Sequence, residues 1–165
     1  MVASLVLGIF VPNYFTNNQP DNPVIRTINI DYVIDTSNPK AVLGFSDNVF
    51  LGKVIKQVGT KSLSTYPETQ FEVKVIDNIK GELKGIVKVN QAGGDEGENL
   101  FLMENDKLLI EGYTYLFATR YLKEENWHTV IPVGGDIPFN SDEEKKELVE
   151  KYKKAYEEEI PFKLK

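Results

Sequence analysis

The sequence contains no cysteine. That absence excludes disulfide scaffolds, thiolate metal sites, cysteine nucleophiles and lipid anchors on cysteine. Histidine is nearly as scarce: His128 is the only one in 165 residues. No His–His metal pair or His–Cys dyad can exist, and a Ser–His–Asp triad would need this one residue. Positive charge is also short, with 19 Lys and Arg against 25 Asp and Glu and a formal net charge of −6. Duplex nucleic acid and anionic lipid both bind through Lys and Arg, so neither is an expected partner. Neither a phosphate-cradling glycine motif nor a Gly-x-Ser-x-Gly elbow occurs.

What is present suits one folded domain. Hydrophobic residues make up 41% and charged residues 27%, and a chain of this length can bury a core without staples. Met1 to Val11 carries no charge. It is too short to cross a bilayer, which needs ~20 apolar residues. It also lacks the basic start and the cleavage site of a signal peptide. Its length matches a signal core or the outer end of a membrane anchor; an ordinary buried strand or helix is the alternative. Pro12 to Pro23 is rich in Pro and Asn and reads as a linker. Residues 1–23 are therefore read as a truncated signal- or anchor-like segment with its linker, and 24–165 as a single domain. The expected location is extracytoplasmic, secreted or membrane-anchored, with membrane contact only through the N-terminal tether.

The domain itself alternates. Val24 to Ile34 reads as a strand with Ile28, Ile30, Tyr32 and Ile34 on one side. Lys40 to Phe45 is long enough for one helical turn. Asn48 to Val58 is apolar on both alternating sets, with Gly52 at its middle where a bulge or sharp bend is expected. Thr69 to Ile76 turns Phe71, Val73 and Val75 inward, and Ile86 to Asn90 is a further short strand. Leu100 to Ile110 reads as a helical turn plus a short strand. Tyr113 to Leu122, with Tyr113, Tyr115, Phe117 and Tyr121 on one face, is the strongest strand signal, and a hairpin leads from it to Trp127–Val133. Ser141 and Glu144 form a capping box for a helix over about 141–159, whose apolar stripe is Leu148, Val149, Tyr152, Ala155 and Tyr156. A glycine-bent strand, two alternating strands, a variable link and a final hairpin is the order of a five-stranded Greek-key barrel of the OB type. The expected class is mainly β: such a barrel with an extra N-terminal strand and a C-terminal amphipathic helix.

Particular stretches also resemble a family. Ser46 to Val54 (SDNVFLGKV), Thr69 to Val73 (TQFEV), Ile79-Lys80-Gly81 and Gly112 to Phe117 (GYTYLF) look like uncharacterised cell-surface and secreted proteins of Gram-positive bacteria. Their barrels are similar to those of the tissue inhibitors of metalloproteinases and of netrin modules. The resemblance covers Ser46 to about Val133 and implies the fold first. It also implies peptidase inhibition, although the animal inhibitors reach the protease zinc through an N-terminal cysteine and this chain has none.

Candidate sites follow from the barrel. Barrels of this type bind along the face of the second and third strands and through adjoining loops. Tyr66, Gln70, Lys74, Lys88, Trp127 and His128 are the binding candidates, with ordinary outer-face polarity as the bland reading and His128 as a surface residue opposite a core Trp127. Two similar loops, Gly93-Gly94-Asp95 and Gly134-Gly135-Asp136, leave the ends of strands expected to be parallel neighbours. Asp95, Glu96, Glu98 and Asp136 would then share a hard cation such as calcium through oxygen ligands; two glycine turns with solvent-facing acids are the alternative. No catalytic residue and no other cofactor is indicated. The expected function is a non-enzymatic extracytoplasmic binding or structural module, whose partner is a protein or a cell-envelope ligand. A peptidase inhibitor and an enzyme with an unrecognised carboxylate site are the alternatives.

Overall fold

The computed structural model describes residues 22–31 and 33–163; the apolar segment at 1–11 and nearly all of the linker lie outside them. Nine strands and two helices follow in the order β1 (Val24–Ile28), α1 (Pro39–Phe45), β2 (Asn48–Gly59), β3 (Glu68–Lys80), β4 (Ile86–Ala92), β5 (Gly94–Glu96), β6 (Asn99–Met103), β7 (Thr114–Leu122), β8 (Trp127–Val130), β9 (Asp136–Pro138) and α2 (Asp142–Glu157). Neighbours run β2-β3-β4-β8-β7, and β7 returns to pair with β2. The sheet is thus a closed five-stranded barrel. All of its pairings are antiparallel except β4–β8, which is parallel. That is the expected OB-like order, with the third and fifth barrel strands side by side.

The double-sided apolar pattern of β2 has a direct cause. Phe50 and Val54 turn into the barrel with Phe71, Val73, Val89, Tyr115, Phe117 and Val130. Val49 and Leu51 turn outward, where Val42, Leu43, Leu116, Ala118, Tyr152 and Ala155 cover them. β2 and β7 are therefore walls between two cores, one inside the barrel and one beneath the helices. Gly52 is where β2 bends. Its register against β3 shifts between Leu51 and Gly52, and a Cβ there would meet Val73 Cγ1 at 2.5 Å.

The helices are capped as their sequences indicate. The Asn38 side chain accepts from Lys40 N at 3.1 Å, with Pro39 at the first helical position. Ser141 Oγ accepts from Glu144 N at 3.1 Å, and Glu144 Oε2 accepts from Asn140 N at 2.7 Å. The predicted reciprocal bond thus reaches one residue further back than in a standard capping box.

Four local expectations are corrected. The first strand stops at Ile28 rather than Ile34, because among the described residues it pairs with β6 alone and that ladder ends at Ile28↔Met103. Residues 94–96 form β5 rather than a free loop, pairing with β6 in a three-stranded satellite sheet ordered β1-β6-β5. Residues 99–103 are extended, without the expected helical turn. β7 begins at Thr114, leaving Tyr113 just before it; Tyr113 and Tyr121 are exposed while Tyr115 and Phe117 are buried, because the barrel encloses only the middle of that face.

Candidate functional site

The barrel is incomplete at one rim. β8 ends at Val130, so the next stretch of β7 would lose its partner. The chain instead loops back, and β9 takes that edge, pairing Tyr115↔Pro138 and Phe117↔Asp136. The loop between β8 and β9 is Ile131–Gly135. Its two glycines are dictated by space: a Cβ on Gly134 would lie 2.6 Å from Thr36 O, and one on Gly135 would lie 2.4 Å from Ile131 O. Squeezed between Pro132 and this pair, Val133 adopts φ +66. A β-branched residue there is strained. Gly134 N donates to Pro132 O at 2.8 Å, which closes a γ-turn of the rare positive-φ hand about Val133.

Opposite this turn runs the segment between β6 and β7. Asn105, also at φ +61, turns the chain so that Asp106 Oδ2 accepts from Val133 N at 3.2 Å. This bond ties the two positive-φ positions together at the wall of a cavity of about 470 Å³, which both residues line. Its walls are apolar at Leu108, Ile110, Val133, Ile137 and Pro138, aromatic at Tyr113 and Tyr115, and polar at Asn105, Asp106, Lys107, Asp136 and Asn140. A few polar groups in a mostly apolar hollow of this size is the usual make-up of a small-molecule site. Strained backbone clusters at such places when the surroundings hold it.

Gln91, at the end of β4, organises the inner wall. Its Nε2 donates to Lys107 O at 2.8 Å and to Asp136 Oδ2 at 2.9 Å, and its Oε1 accepts from Leu109 N at 2.9 Å. Tyr115 Oη accepts from Ile110 N at 3.1 Å. Asp136 is the unusual group. Burial removes its carboxyl from water, the negative charge of Asp106 adds to the effect, and its pKa is pushed up to about 8. At neutral pH it is mainly a carboxylic acid.

The metal expectation placed Asp95, Glu96, Glu98 and Asp136 together on one rim. The β4 and β8 loops do share one rim, and Gln91 joins them through Asp136. Yet β5 pairs away into the satellite sheet, carrying Asp95, Glu96 and Glu98 with it, while Asp136 points into the barrel seam. Among the described residues no three His, Asp or Glu side chains form a group able to hold a metal ion.

The binding candidates disperse. Gln70 is buried, not surface: its Nε2 donates to Asn90 Oδ1 at 2.7 Å and to Lys61 O at 2.8 Å, and its Oε1 accepts from Lys61 N at 2.8 Å. Tyr66 is exposed and lies against the Phe101 ring, and Lys74 is exposed on β3. Trp127 is buried in the wall, with Lys61 Nζ 5.9 Å from its ring centroid. His128 is buried too, only 7% exposed, because Tyr121 stacks on it at 4.9 Å. Burial lowers its pKa, partly opposed by the charge of Asp47. Lys88 and His128 do come together, around a shallow hollow of about 280 Å³ with Glu72, Ile86, Val87 and Asn126. Nδ1 of His128 and Nε1 of Trp127 are buried without a hydrogen-bond partner.

Of the rim cavity, the sequence pointed to Asp136 alone, and for a different role. A positive φ at Val133 leaves no composition signal, and Asp106 and Tyr115 reach the site only through the path of the chain. No protein-family model matches this chain, and no curated protein matches it significantly.

Proposed function

We propose that this chain is a non-enzymatic, extracytoplasmic binding module that takes a small ligand in the rim cavity. One observation carries the reading: the mostly apolar cavity where β9 replaces β8, lined by a largely desolvated carboxyl. That carboxyl accepts from Gln91, yet its ionisation is strongly perturbed, and a perturbed carboxyl lining a hollow marks a candidate functional group. The extracytoplasmic part rests on the sequence alone, on the apolar start and the Pro/Asn linker. The barrel shape also fits the resemblance to Gram-positive surface proteins, without favouring protease inhibition.

A second reading keeps the same cavity but makes it catalytic. One carboxyl held protonated near another is the arrangement of an acid–base pair. Lys107, Tyr113 and Tyr115 also line the hollow, but among the described residues no hydrogen bond joins either acid to their side chains, so binding is favoured.

Ligand-observed NMR with a fragment library separates these readings. Fragments should bind the full chain, and the Ile110→Trp variant, which fills the mouth from an exposed position, should lose them without a change in melting temperature. Binding that is absent, or indifferent to Ile110→Trp, would refute the cavity assignment. Turnover of a chromogenic glycoside or ester that vanishes in Asp136→Asn would favour the enzyme. Envelope fractionation of the native cells tests location: a purely cytosolic protein contradicts it.

A further inference from the structure

We propose that the rim cavity holds the ammonium group of a primary amine with an apolar body, seated between Asp106 and Asp136 and against the Tyr113 and Tyr115 rings. The inference rests on the cavity being a ligand site and names what that ligand is. Its observations are the charges and rings at the walls. Two carboxyl groups line the hollow. Among the described residues neither has a Lys, Arg or His nitrogen within 4 Å. Lys107 lines the mouth, but the residue is exposed and its carbonyl, not its ammonium, is bound to the inner wall by Gln91. An anionic ligand would meet both acids at close range in a partly dry site. A neutral ligand would leave Asp106 without a counter-charge. An ammonium supplies that charge, and aromatic faces within reach attract it further. The apolar walls at Ile110 and Ile137 would take the body of the molecule, and about 470 Å³ lies within the range of small-molecule sites.

The protonation of the site then changes on binding. The titratable groups facing Asp136 are Asp106, Tyr115, Tyr113 and Lys107. An incoming cation stabilises the ionised form of Asp136, which passes its proton to solvent while the amine keeps its own. Amine binding at pH 7 therefore releases up to one proton per ligand.

Calorimetry on the full chain tests this with three matched probes: 2-phenylethylamine, 2-phenylethanol and 3-phenylpropionate. The amine should bind at least about tenfold more tightly than the other two. Its apparent heat should vary with buffer ionisation enthalpy in the sense of proton release. Asp136→Asn should reduce amine affinity about tenfold and abolish the buffer dependence. Tyr113→Ala, at an exposed position that the fold does not need, should weaken the amine several-fold. If the alcohol or the carboxylate binds as well as the amine, the ammonium assignment is wrong and the cavity remains a ligand site. If none of the three binds but fragments sensitive to Ile110→Trp do, the ligand class is wrong; if no such fragments exist either, the cavity assignment falls with it.

Discussion

Two titratable residues set opposite pH dependences. Asp136 has a folded pKa raised above that of the unfolded chain, to about 8 from 3.8. The native state therefore holds a proton that the unfolded state gives up, and stability falls as pH rises from about 4 to about 8. Asp136→Asn keeps the acceptor for Gln91 Nε2 and removes the titration. It should be several kcal/mol more stable than the parent at pH 9, up to about 6 kcal/mol if the full shift is realised, and similar to it at pH 4, as urea midpoints would report. His128 behaves the other way. Its folded pKa lies below the ordinary imidazole value because of burial, so the unfolded chain binds the extra proton, and stability is lost as pH falls below about 6.5. His128→Gln should flatten that acid limb. A parent whose midpoints do not differ from the variant's between pH 7 and pH 5 would contradict the burial of the ring. Neither dependence was legible in the sequence. His128 follows Trp127 on a strand and alternation places it outside, yet Tyr121 from β7 folds over it; Asp136 follows two glycines and resembles a solvent turn, yet β9 draws it into the seam.

Elements with a strong period were legible, and those defined by a partner were not. β2, β3, β4, β7 and β8 were found because Phe71, Val73 and their neighbours repeat every second residue and have a barrel interior to fill. Gly52 was found because a glycine in so apolar a run needs a spatial reason. α2 was found from Ser141 and its apolar stripe. β5, β6 and β9 are three to five residues long and show no apolar–polar alternation of their own: GDE, NLFLM and DIP. Their state is decided by the edge they meet: β6 for β1 and β5, the vacated side of β7 for β9. Gly52→Ala tests the bend. Its methyl would lie 2.5 Å from Val73 Cγ1 and 3.1 Å from the Phe117 and Phe50 rings, all within the barrel core, where overpacking costs ~1–3 kcal/mol. A loss in that range in urea unfolding is expected; an unchanged or raised midpoint would show that β2 has room at its bend.

At the scale of the whole molecule, closure is the weak point and the rim cavity is its consequence. β2 and β3 pair from Val49↔Lys80 to Gly59↔Gln70, but β4 and β8 meet only at Val89↔His128 and Asn90↔Thr129. Gln91 and Asp136 continue that seam with side chains where backbone pairing has stopped. Hydrogen exchange should open the β4–β8 seam first, with the amides of residues 128–130 exchanging well before those of 50–54; equal protection would mean that the barrel opens only as a unit. The rim cavity depends on a half-buried, largely desolvated carboxyl where the barrel wall changes strands. Carbon-13 NMR titration of the Asp136 side chain in the full chain addresses that most directly. The account predicts a midpoint near 8, falling when 2-phenylethylamine is added; a midpoint near 4, the value of an ordinary solvated aspartate, would contradict it.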